Sequence, residues 1–259
     1  MAKTNKYGPA GKRLREIYTR LLDAFGPQHW WPGETPLEVA IGAVLTQNTN
    51  WGNVERAIRN LKMANALSGP AIDRMSNERL AELVRPSGYF NVKAARLKAF
   101  VSFLMNGYRG DFNRMKCAGT ARLREKLLAV NGIGPETADS ILLYALEKPV
   151  FVIDAYTKRI LARHKIVSLS EDWDYPRLQG LFHQCLEPDV DLYNEYHALL
   201  VRAGKTFCRP RAPLCRTCPL SEMEPQALEP RALGRAPKPR ILKPRTPRSR
   251  TLESAERQE

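Results

Sequence analysis

The chain has 259 residues, 43% of them hydrophobic, which is enough to bury one large core or two small ones. Forty-one Lys and Arg against 27 Asp and Glu give a formal charge of +14, pointing to a polyanionic partner. No apolar run is long enough to span a membrane, and Met1–Arg13 has no apolar core of a secretory signal; we expect a protein of the cytoplasm, associated with the nucleoid. In that reducing compartment the five cysteines are expected to stay free of disulfides.

Apolar residues at helical spacing predict helices over 10–25, 36–46, 53–62, 78–85, 92–106, 120–130 and 136–147. Further helices are predicted over 155–164, 174–186 and 189–204. Only Pro149-Val150-Phe151-Val152-Ile153 has strand character, and it is short, so the expected fold class is all-α. The helix of 136–147 is expected to open at Glu136 or Thr137, with Pro135 tolerated in its first turn. From about residue 225 the chain is rich in Pro and Arg and poor in large apolar side chains, the composition of a disordered basic tail. That tail holds nine Lys or Arg against four Glu, so +5 of the charge lies there and +9 in residues 1–224.

The most informative stretch runs from Leu127 to Thr157. Two apolar helical segments flank Asn131-Gly132-Ile133-Gly134-Pro135, and an isolated Asp154 stands eighteen residues after Glu136. Glycines there allow a tight turn that leaves N–H groups bare at the start of the next helix, a way to grip a phosphate without reading a base. By itself Asp154, ahead of a helical pattern, reads as an N-cap.

Helix, glycine hairpin, helix and downstream Asp resemble the helix-hairpin-helix/Gly-Pro/Asp superfamily of DNA glycosylases, which contains endonuclease III. The resemblance covers roughly residues 10–220. It implies a six-helix domain over 34–148, a second helical domain from 1–33 plus 149–224, and a DNA-binding cleft between them. Gly132, Ile133, Gly134 and Thr137 would meet the DNA backbone, and Asp154 would be catalytic, facing the sugar of a flipped nucleotide. There its carboxylate would stabilise oxocarbenium character at C1′ or activate a water.

Members that also cut the backbone carry a Lys in the first turn of the second helix, within G-[VI]-G-x-K-[TS]-A. Here Gly132-Ile133-Gly134-Pro135-Glu136-Thr137-Ala138 puts Glu136 at that place. A carboxylate cannot form a Schiff base, so the resemblance implies a monofunctional glycosylase with Glu136 as a second catalytic carboxylate. His29-Trp30-Trp31-Pro32, Leu45-Thr46-Gln47-Asn48-Thr49 and the following Trp51 are similar to the 3-methyladenine DNA glycosylase III branch. That branch implies an alkylated purine as substrate, with Trp30, Trp31 and Trp51 as aromatic faces, Gln47 as the wedge behind the flipped base, and Lys205 in the pocket. Taken alone, the two adjacent tryptophans read rather as core packing and Gln47 as a helix-end cap, and Lys205 reads nearly as well as a surface residue.

Cys208-x6-Cys215-x2-Cys218 reproduces the first three ligands of the endonuclease III iron–sulfur loop, but Glu224 occupies the fourth position. Three readings follow: a [4Fe–4S] cluster with Glu224 or another group as fourth ligand, a zinc on three thiolates, or a metal-free site. In each, the loop presents Arg209, Arg211 and Arg216 to phosphates, while Cys117 and Cys185 are expected to be ordinary buried thiols.

The leading expectation is therefore a monomeric base-excision glycosylase acting on damaged bases in double-stranded DNA. Its rivals are an endonuclease III-type glycosylase and lyase for oxidised pyrimidines, and a noncatalytic module that binds DNA damage.

Overall fold

A computed structural model describes residues 8–30, 33–167 and 173–223. Twelve α-helices occur among them and no strand does. They are α1 (Gly8–Phe25), α2 (Pro36–Leu45), α3 (Trp51–Met63), α4 (Gly69–Arg74), α5 (Asn77–Val84) and α6 (Phe90–Tyr108), then α7 (Phe112–Lys116), α8 (Thr120–Leu128), α9 (Pro135–Ser140), α10 (Ala155–Arg163), α11 (Tyr175–Cys185) and α12 (Val190–Thr206). Local chemistry explains most of the helix starts. Thr35, Asn50, Ser68, Ser76, Asp111, Asp154, Asp174 and Asp189 each accept a backbone N–H of the first turn they precede.

Apolar stripes then decide the packing. Leu14, Ile17 and Leu21 of α1 are fully buried at helical spacing, and α1 lies on α11 and α12, with Tyr196 Oη donating to Leu14 O at 2.6 Å. Helix α10 packs on α12. In the other group α2 packs against α3, α6 and α9, while α4 and α5 lie along α6 and α8 lies on α9. The groups meet where α12 touches the turn that follows α9.

That turn departs from expectation. The helix begins at Pro135 with Gly134 as its cap, not at Glu136 or Thr137, and after Ser140 it widens into a π-helical turn over Ile141–Ala145. The segment with strand character is extended but joins no sheet; Val150 to Ile153 are buried, and Phe151 stacks on Phe182. Helices α4 and α7, too short for a periodicity signal, are held by Ser68 with Pro70 and by Asp111. Cys185 is buried as expected, whereas Cys117, at the C-terminal cap of α7, is exposed.

Candidate active site and DNA-facing hairpin

The hairpin is built around Gly132, whose φ of +84° lies in the left-handed region. A Cβ there would stand 2.3 Å from Arg96 Cγ, so the Arg96 stem also requires glycine. Gly134 differs: its φ is ordinary and a Cβ would meet nothing, which leaves that side of the hairpin open. The Ile133 N–H closes on Val130 O at 3.1 Å, while the N–H groups of Gly132 and Gly134 make no backbone hydrogen bond among the described residues. An open basin of ≈ 580 Å³ runs over Leu128 to Gly134, edged by Gln47 and Arg96.

Gln47 is tied to this hairpin. Its Nε2 donates to Gly132 O at 3.1 Å and to Thr137 Oγ1 at 2.8 Å, and its Oε1 accepts from Arg96 Nη1. Thr137 is buried beneath Gln47. Arg96, which no sequence motif pointed to, thus joins the candidate wedge to the candidate phosphate grip.

Asp154 does cap α10: its Oδ1 accepts from Thr157 N at 2.7 Å. It is only 7% exposed, and its Oδ2 lies 3.5 Å from His197 Nε2. His197 Nδ1 hydrogen-bonds the hydroxyl of Tyr144, which sits in the π-helical turn. Trp30 stacks on the imidazole, with centroids 5.6 Å apart and planes 10° from parallel. Burial pushes the Asp154 carboxyl up, but His197 and the Thr157 N–H and hydroxyl outweigh it and hold it below the ordinary carboxylate range.

Glu136 stands within electrostatic reach of Asp154, across the seam between the two helix groups. Although its side chain touches solvent, crowding by the protein and then the Asp154 charge push it above the usual range; His197 and Lys158 act the other way. Burial, with Asp154 and Glu136 adding to it, raises the Tyr144 phenol well above its usual value. Two carboxylates driven in opposite directions within one cleft suit a division of labour between an anion and a group that is more readily protonated.

Not every expected residue reaches this cleft. Trp51 starts α3 and packs its ring against Gly42 of α2, where a Cβ would lie 3.2 Å from it. Lys205 is exposed on the last turn of α12, two turns beyond His197. Trp31 and Glu224 lie outside the described residues. Tyr144 and His197 are the residues that the sequence did not single out. A histidine among Asn194-Glu195-Tyr196-His197-Ala198-Leu199-Leu200, on the buried side of a helix, was the available signal, because a buried ring nitrogen needs a partner.

The three loop cysteines line one pocket of ≈ 280 Å³, together with Ile160, Phe207 and Leu220. Cys208 and Cys218 are buried and Cys215 is exposed. Burial first, then the other two thiols, raises the Cys218 thiol, while the Leu220 backbone opposes the shift. Arg163 Nη1 donates to Cys208 Sγ at 3.3 Å and to Arg209 O, and Arg159 Nε donates to Cys208 O, so α10 anchors the loop as well as carrying Asp154. Among the described residues, no three donor side chains converge on a single point that would hold a metal ion.

Residues 41–174 match the family model described as the HhH-GPD superfamily of base excision DNA repair proteins. A protein of Methanocaldococcus jannaschii, provisionally named a DNA repair glycosylase, is 46% identical over 221 residues, which is 85% of this chain and 97% of that protein. The crystal structure of an H. pylori 3-methyladenine DNA glycosylase bound to 1,N6-ethenoadenine is 31% identical, with a TM-score of 0.62 over 76% of this chain and 97% of that one. An endonuclease III–DNA complex, at 17% identity, shares the fold with a TM-score of 0.69 over 82% of this chain and 94% of that one.

Proposed function

The chain belongs to the HhH-GPD superfamily of base excision DNA repair proteins, and on that premise we propose that this DNA glycosylase removes alkylated purines of the 3-methyladenine type without cutting the backbone. The observation that carries the reading is the pairing of Asp154 and Glu136 in one cleft, with a carboxylate where a backbone-cutting relative needs an amine. Asp154, ionised, fixed at Oδ1 by the α10 cap and turned to His197 at Oδ2, faces C1′ of the flipped nucleotide and stabilises the positive charge that develops as the base leaves. Glu136, whose carboxyl takes up a proton more readily, orients the water that completes hydrolysis. Trp30 offers an aromatic face to a cationic purine, worth about 0.5–2 kcal/mol. The H. pylori neighbour, with its bound modified adenine, supports the choice of substrate class.

In this reading the helix groups form two domains, 34–148 and 1–33 with 149–224, and monomeric protein binds duplex DNA along their cleft. Gly132, Ile133 and Gly134 lie on a phosphate, and Gln47 fills the gap behind the flipped base.

In the same reading the cysteine pocket is the seat of a [4Fe–4S] cluster. Its three thiols line one pocket and keep three of the four ligand spacings of the endonuclease III loop, which supports that choice. Cys208, Cys215 and Cys218 would hold it, and the cluster would brace the loop. Iron and acid-labile sulfide, measured on protein purified without oxygen, are expected at cluster stoichiometry; zinc alone, or no metal, overturns this assignment.

Incubation with methylated duplex DNA, with released bases identified by mass, tests the activity. Release of 3-methyladenine is expected, and Asp154→Asn should lower it ~10²–10⁴-fold while the α10 cap is retained, because Asn caps a helix as well as Asp does. Normal turnover by that variant removes Asp154 from the chemistry. Borohydride is expected to trap no adduct on abasic-site DNA. An adduct lost on Lys158→Ala or Lys205→Ala identifies a Schiff-base lysine and overturns the monofunctional reading.

A further inference from the structure

We propose that His197 is the positioning residue for Asp154, its ring oriented by Tyr144 and Trp30 so that Nε2 faces the catalytic carboxylate. The inference depends on the reading of Asp154 given above.

Asp154 has two oxygens to place. Oδ1 is committed to the Thr157 N–H at 2.7 Å and cannot turn without uncapping α10. Oδ2 faces His197 Nε2 at 3.5 Å, and that nitrogen has no closer partner among the described residues. The opposite ring nitrogen, Nδ1, meets the Tyr144 hydroxyl.

A buried phenol between two carboxylates keeps its proton. With Nδ1 engaged by that hydroxyl, the ring turns Nε2 toward Asp154. Trp30, stacked parallel on the ring, resists rotation, and at 5% exposure water has little access to replace Asp154 as a partner. Asp154 is thus held at Oδ1 by the Thr157 N–H, while Oδ2 faces the oriented imidazole. That placement keeps its negative charge aimed at the oxocarbenium-like transition state.

The groups facing Asp154 set the expected signature. They are Glu136 from α9, Tyr144 from the π-helical turn, His197 from α12 and, through Glu136, Lys158 from α10 itself. Removing His197 leaves Glu136 as the nearest charge, which makes Asp154 harder to ionise. The acid limb of the pH–rate profile should therefore move to higher pH.

The test measures base release from methylated DNA between about pH 4 and 9, a range that brackets carboxylate and imidazole titration. The proteins are wild type, His197→Ala, His197→Gln and Tyr144→Phe. His197→Ala is expected to lower kcat about tenfold or more, leave KM within about twofold, and raise the acid limb by about one pH unit. His197→Gln, whose amide can donate to the same oxygen, should recover most of the rate and return the limb toward wild type. Tyr144→Phe unpins the ring and should shift the limb part of the way.

An unmoved limb in His197→Ala, or a Gln variant no better than Ala, overturns the proposal. Should His197→Ala fail to fold, an unmoved limb in Tyr144→Phe overturns it equally. Asp154→Asn separates the two levels: if it turns over normally the reading of Asp154 has failed, whereas an inactive Asp154→Asn beside wild-type limbs in the other variants defeats only the role of His197.

Discussion

Gly132 shows how one residue can answer two demands. Its backbone lies at φ +84°, and the Arg96 side chain crosses where a Cβ would stand. Gly132→Ala should therefore lose ~1–3 kcal/mol from the backbone alone, and more by displacing Arg96 from Gln47. Chemical denaturation of Gly132→Ala, Arg96→Ala and the double variant checks this. The double variant should cost less than the sum of the two single losses, because the clash with the Arg96 stem is gone. A Gly132→Ala protein as stable as wild type contradicts both demands. The need for a glycine was legible from the hairpin pattern, and so was the N-cap reading of Asp154. Arg96 was not, since it comes from a helix 36 residues upstream and nothing local marks it. Tyr144 and His197 were hidden for the same reason. Their hydrogen bond spans 53 residues, and each alone reads as an ordinary core residue of its helix.

At the scale of elements, the long helices were legible because burial imposes a period that composition records. Leu14, Ile17 and Leu21, or Leu97, Phe100, Val101 and Leu104, need only a common buried face to be recognised. The π-helical turn leaves no such trace: Ile141 to Ala145 are all buried, and an apolar run buried on every side looks the same whether it winds tightly or widely. What sustains that region is polar and long-range. Buried Asp139 of α9 accepts from Arg124 of α8 at 2.6 and 3.0 Å, and from Gln179 of α11 at 2.7 Å. Gln179 Nε2 also donates to Phe151 O, and Tyr175 Oη accepts from Ile153 N, so the hairpin helix is joined to the extended segment that delivers Asp154. This network explains why Val150–Ile153, despite its β-favouring side chains, needs no neighbouring strand.

For the whole molecule, the question is how a basic protein applies its charge to DNA. In the proposed reading the hairpin grips through backbone N–H groups and adds no net charge, so salt-dependent affinity must come from Lys and Arg elsewhere. Arg209, Arg211 and Arg216 are exposed on the cysteine loop, which α10 holds in fixed relation to Asp154 through Arg159 and Arg163. If that loop lies along the duplex while the hairpin holds the other side of the cleft, each arginine neutralises a phosphate and releases counterions. Replacing all three with Ala should then flatten the plot of log affinity against log salt by about 0.9 for each phosphate no longer neutralised, close to three in total. The rate of base release under saturating conditions should stay at the wild-type value, because none of the three approaches Asp154 through any hydrogen bond or ion pair among the described residues. Fluorescence anisotropy with undamaged duplex over a salt series measures the slope. An unchanged slope would place the loop away from DNA and assign the cysteine pocket a purely internal role in bracing α10 and α12.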